Sequence, residues 1–172
     1  MPYAEVLQSW RDFYVTAGAA AATLVGLLFV GLSLHIRVVV AHAEVRGLAR
    51  VTLADFFVVL LVSLVLLAPI GNGGAATWVI GVGVLSLALV ARPGLEAVSG
   101  RRARTIGLGL LLSRFGLSAL CYLGIGSMGV LLSMGDLNDA LAGLLVLVVL
   151  LLVVAVRNTW DLLVTVADPP MP

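Results

Sequence analysis

Long apolar runs separated by short polar clusters dominate this chain. From Phe13 to Ile36, 24 residues carry no formal charge, between Asp12 and Arg37. As a helix this run is about 36 Å long at 1.5 Å per residue, enough to cross a hydrocarbon layer of ~30 Å with some tilt. Met1–Asp12 reads as a polar lead-in, and Trp10, Phe13 and Tyr14 suit a membrane–water interface. The polar connection Arg37–Thr52 leads to a second run, Leu53–Ile70, with Asp55 and Phe56-Phe57 near its start. Pro69-Ile70-Gly71-Asn72-Gly73-Gly74 carries turn chemistry, and Ala75–Ala91 then predicts a third, short span of about 26 Å, making a tight hairpin with the second.

Arg92-Pro93-Gly94 predicts the end of that helix and opens a basic loop. A weakly polar run from Thr105 to Gly135 is interrupted only by Arg114 and places a fourth span at about Gly109–Met134. The Gly135–Asp139 turn offers Asp139 as a helix cap. Ala140–Val156 predicts the fifth span, and residues 157–172 form a tail that begins with Arg157 and Trp160 at the interface and ends Pro-rich. The fold predicted is all-α: one integral-membrane domain over 1–172, a polytopic bundle of five spans. A bundle of four, with the third run as a re-entrant or interfacial helix, is the alternative.

Composition agrees with that class. The chain is 62% hydrophobic and 11% charged, with a mean hydropathy of +1.18, whereas soluble domains are about one quarter charged. A net charge of +1 argues against a nucleic-acid partner. All ten basic residues are arginine, which with the abundance of Ala, Gly, Val and Leu points to a GC-rich bacterial genome. Cys121 is the single cysteine, so no disulfide forms within the chain. Ala41-His42-Ala43 mimics a signal-peptidase site, but the run before it exceeds the roughly 7–15 residues of a signal h-region, so the segment is expected to be retained.

Arginine counts orient the bundle. The first and third connections hold three and four arginines, and the second and fourth hold none. The positive-inside rule then puts the N-terminus outside and the C-terminus in the cytoplasm of a bacterial cell membrane.

Two features are candidates for function. Gly18, Ala22 and Gly26 recur every fourth residue in the first run, a stripe of small residues along which a second helix can approach closely in lipid. Asp55 and Arg114 lie within or at the edge of spans, in the same half of the membrane. A charge at a helix centre costs about 2.5–3.5 kcal/mol on insertion scales, and opposite signs at similar depth suggest a pair. That pair reads as a structural ion pair or as a polar element on an ion or proton path; separate snorkelling to the interface is the third arrangement.

Enzymatic chemistry has no comparable pattern. Gly124-Ile125-Gly126-Ser127-Met128-Gly129 spells GxGxxG, but inside an apolar run rather than between a strand and a helix, so its glycines read as close-packing points. Ser127 lacks the G-x-S-x-G frame, because Ile125 stands where a glycine belongs. His35 and His42 have no cysteine or paired histidine at ligand spacing. No catalytic, cofactor or metal site is predicted.

The blocks Trp10-Arg11-Asp12-Phe13-Tyr14, Gly18-Ala19-Ala20-Ala21, Gly26-Leu27-Leu28-Phe29-Val30 and Leu32-Ser33, with Asn158-Thr159-Trp160-Asp161-Leu162-Leu163-Val164 near the other end, carry a resemblance. The chain resembles the small actinobacterial multi-pass membrane proteins labelled modulator of FtsH protease. The family usually has an apolar residue at the place of Asp161 and often an acidic one at the place of Thr165. The resemblance implies a bundle that acts on a larger membrane complex and implies no catalytic residues. Two function classes are therefore in play: a membrane protein working through helix–helix contacts, as a homo-oligomer or docked on a membrane-protein partner, and a small channel or transporter using Asp55 and Arg114.

Overall fold

A computed structural model describes residues 3–41, 43–99 and 116–167, with side chains described over 5–37, 39–41, 45–90 and 116–164. The described residues form six helices: α1 (Tyr3–Leu34), α2 (Ile36–Ala41), α3 (Ala43–Leu67), α4 (Asn72–Ser99), α5 (Leu117–Met134) and α6 (Leu137–Ala167). All but α2 are long and apolar enough to cross a membrane. The fold is an all-α bundle, and the protein is membrane-embedded in character.

The helices outrun the apolar runs at several ends. From Tyr3 on, the lead-in is the first part of α1. The connection 37–52, expected to be a loop, is α2 and the start of α3. It holds no proline, and its side chains divide by face: Val45, Leu48 and Ala49 are buried while Arg46 and Arg50 are exposed. The helix that carries the second span therefore starts ten residues earlier than Leu53, at Ala43, and Asp55 falls at the midpoint of α3 rather than near its start. It also ends earlier, at Leu67, because Pro69 disfavours helical geometry at Ala68; the turn closes with the Ile70 amide donating to the Ala68 carbonyl at 2.7 Å.

Gly73 and Gly74, expected in that turn, belong to the first turn of α4. Arg92-Pro93-Gly94 does not stop α4, which continues to Ser99. A proline removes one backbone donor and crowds the carbonyl four residues earlier, which bends a helix without obliging it to end. The expected start of the fourth span lies outside the described residues. At its other end α5 stops at Gly135, which takes φ 96° and returns its amide to the Leu132 carbonyl, a left-handed cap open to glycine. Asp139 does not cap the last helix. It sits in the first turn of α6, where its charge complements the helix dipole, and α6 runs on from Leu137 to Ala167 through most of the expected tail.

Helix α3 is the hub. It packs on α1, α2, α4 and α6, while α5 packs between α4 and α6. The main core joins Tyr14, Val59, Leu66, Val79, Ile125 and Leu144, all fully buried. A second cluster around Leu28, Phe56 and Leu162 covers the α2 end, and a third around Ala75 and Leu132 covers the opposite end. There, Asn72 Nδ2 donates to the Leu132 carbonyl at 2.9 Å and the Tyr14 hydroxyl to the Leu141 carbonyl at 2.9 Å. Most other hydroxyls on the helices turn back onto a carbonyl three or four residues earlier, as at Thr16, Thr23, Thr52 and Ser127. That habit satisfies a hydroxyl in apolar surroundings without a tertiary partner.

Candidate functional site

Asp55 departs from that habit. It is fully buried, and both carboxylate oxygens accept a hydrogen bond from α5. Tyr122 donates its hydroxyl to Oδ1 at 2.6 Å, and Ser118 donates its hydroxyl to Oδ2 at 3.0 Å. Ser118 and Tyr122 are one helical turn apart, so they project from the same side of α5, and both are fully buried. The 2.6 Å separation falls within the range of hydroxyl–carboxylate bonds. Thr52 lies one turn before Asp55, with its hydroxyl held by the Leu48 carbonyl, and the buried Cys121 precedes Tyr122.

The cluster can do two things chemically. It ties the midpoint of α3 to α5 through two hydrogen bonds across the bundle, and it holds one carboxyl group, able to take or lose a proton, beside two hydroxyls. Arg114, expected opposite Asp55, lies outside the described residues. Ser118 and Tyr122 were not singled out in the sequence. Their one-turn spacing in a polar-poor helix is the signal they left, and nothing in a linear pattern says which helix they face.

Close approach of α4 and α5 supports the cluster from behind. A Cβ on Gly83 would fall 2.8 Å from the Gly126 amide nitrogen and 2.9 Å from the Tyr122 carbonyl oxygen. One on Gly129 would meet the backbone of Ile80 at 2.9 Å, and one on Gly124 the Leu147 side chain at 2.8 Å. The GxGxxG sequence therefore lies wholly within α5 and serves helix contacts.

The stripe on α1 is divided. Gly18 is buried, and a Cβ there would stand 3.0 Å from Ser63 Cβ on α3. Ala22 and Gly26 are exposed, and a Cβ on Gly26 would meet nothing within 4 Å. At 3.6 residues per turn, each four-residue step rotates the row by about 40°, so Gly26 has turned about 80° away from the line on which Gly18 meets α3. The positions that α1 buries are Val6, Tyr14, Ala17, Gly18, Ala21 and Leu28.

No protein-family model matches the chain, and no similar protein is found among curated proteins or solved structures.

Proposed function

We propose that the protein is a multi-pass protein of a bacterial cell membrane that acts through helix–helix contacts, either with a second copy or docked on a larger membrane complex, with the outer face of α1 as the contact surface. The observation that carries this reading is the thin cover of α1. Only 22% of its apolar membrane-spanning stretch is buried within the chain, against 50% for α3. What α1 leaves open around Ala22 and Gly26 is a surface of small residues, and Ala19 and Thr23 beside them are also exposed. In lipid there is no hydrophobic drive between helices, so close backbone approach along such a surface is the favourable contact. The resemblance to modulators of a membrane protease supports the same reading.

Orientation is part of the proposal. Arg37, Arg46, Arg50 and Arg157 lie at the α2 end of the bundle, while Glu5, Asp12, Asp136 and Asp139 lie at the other. The positive-inside rule makes the α2 end cytoplasmic, with the N-terminus outside and the C-terminus inside.

The test is purification in mild detergent with mass spectrometry of what co-purifies, repeated on Ala22→Leu. A stoichiometric partner or a defined homo-oligomer that Ala22→Leu removes supports the reading; a monomer with no partner overturns it.

A second reading has its own observation. A buried carboxylate at the midpoint of a membrane helix is costly and often marks a proton or ion path, and Asp55 has two hydroxyls beside it. Under that reading, proteoliposomes show a proton or cation flux that Asp55→Asn abolishes.

A further inference from the structure

Near the α2 end, α1, α3 and α6 part to leave a cleft of about 280 Å³. Its wall is almost wholly apolar, with Leu24, Leu28 and Leu32 from α1, Phe56 from α3, and Trp160 and Leu163 from α6. At its rim stands His35, whose Nδ1 lies 3.2 Å from the Gly31 carbonyl oxygen. Beyond the rim the surface is basic. Arg37 is exposed on α2, and Arg46 reaches back to donate to the Val40 carbonyl at 3.2 Å. Among the described side chains of this end, Arg37, Arg46, Arg50 and Arg157 stand against one carboxylate, Asp161.

A flexible hydrocarbon chain fits such a space, and a basic rim at a membrane surface favours an anionic headgroup above it. Trp160, 69% exposed at the cleft, suits the same interfacial level.

We propose that this cleft is a lipid site, holding one acyl chain of an anionic phospholipid whose phosphate is met by Arg37 and Arg46. The site rests on the arginine-bearing end lying at a membrane surface; it does not depend on association through α1. The lipid fills an apolar gap between α1 and α6 that the chain leaves open.

The test is native mass spectrometry of the full chain released from vesicles of equal phosphatidylglycerol and phosphatidylcholine. One retained lipid per chain is expected, with phosphatidylglycerol in excess by roughly fivefold or more, the worth of one retained arginine contact. The exposed double substitution Arg37→Gln with Arg46→Gln should bring that ratio close to one while a lipid is still retained. Gly31→Leu should abolish retention, since a Cβ there stands at an ordinary 3.6 Å from Leu163 Cδ2 and the added side chain enters the cleft. Leu27→Phe, at the exposed rim, gives the same reading if Gly31→Leu does not insert. Equal retention of the two lipids overturns the proposal. So does a preference unchanged by the arginine substitutions, or retention unchanged in the cleft-filling variants, which would place the lipid elsewhere. A chain that retains no lipid, with a second copy bound in its place, overturns it too. Loss of the α1 contact in Ala22→Leu with lipid retention intact would count against the proposed function alone.

Discussion

The Tyr122 hydroxyl donates to Asp55 Oδ1 at 2.6 Å, joining α5 to the midpoint of α3 across the centre of the bundle. Ser118, one turn earlier, donates to Oδ2 at 3.0 Å. Leaving a buried hydrogen-bonding group without its partner costs about 1–3 kcal/mol, so Tyr122→Phe should lower unfolding stability by that order. Asp55→Asn should cost less, because an amide oxygen still accepts from Tyr122. Residues in direct contact couple by at least about 0.5 kcal/mol in a double-mutant cycle. Equilibrium unfolding of the two single variants and the double variant measures this, and strict additivity would contradict the contact.

The glycines of α4 and α5 should differ sharply despite their proximity. Gly83→Ala puts a methyl group 2.8 Å from a backbone nitrogen, which cannot swing aside as a side chain can. Overpacking of this kind costs about 1–3 kcal/mol. Gly126→Ala meets nothing within 4 Å and should be close to neutral. Thermal unfolding in detergent compares them, and equal losses would mean that α4 and α5 are not this close.

Gly18 and Ala22 should separate folding from association. Gly18→Leu drives a side chain into Ser63 on α3 and should destabilise the single chain. Ala22→Leu points away from the bundle and should leave that stability within about 0.5 kcal/mol, the range of surface substitutions. A loss as large at Ala22 as at Gly18 would mean that α1 sits on α3 in a different rotation.

Topology has a direct check. In a Cys121→Ala background, cysteines at 72 and 138 should react with a membrane-impermeant reagent in intact cells, and a cysteine at 99 only after lysis. Reaction at 99 in intact cells would reverse the orientation.

The sequence made the class of fold legible because charge exclusion over some twenty residues is a strong, local signal. Helix ends were less so. Composition sees where a helix leaves the apolar phase, not where it stops, and so Arg46, Arg157 and even Pro93 lie inside helices that were expected to end before or begin after them. Asp55 stood out because a lone carboxylate in an apolar run is costly wherever it points. Its partners did not, since Ser118 and Tyr122 are 63 and 67 positions away, and they reach Asp55 because α3 and α5 both pack on α4 and α6. Opposite charge drew attention to Arg114, which lies outside the described residues; two neutral hydroxyls supply hydrogen bonds that no charge pattern signals. The small-residue stripe was legible as a pattern, but its 40° drift per step, which lets α3 cover Gly18 and leave Gly26 bare, required the crossing of the two helices.

Disulfide cross-linking along α1, in a Cys121→Ala background and in native membranes, tests the central claim most directly. If the outer face of α1 is a contact surface, cysteine at Ala22 or Gly26 should cross-link to a second copy or to one defined partner. Cysteine at Leu27, about 100° around the helix from Gly26, should cross-link far less. Equal cross-linking at 22, 26 and 27, or none at any of them, would contradict the account.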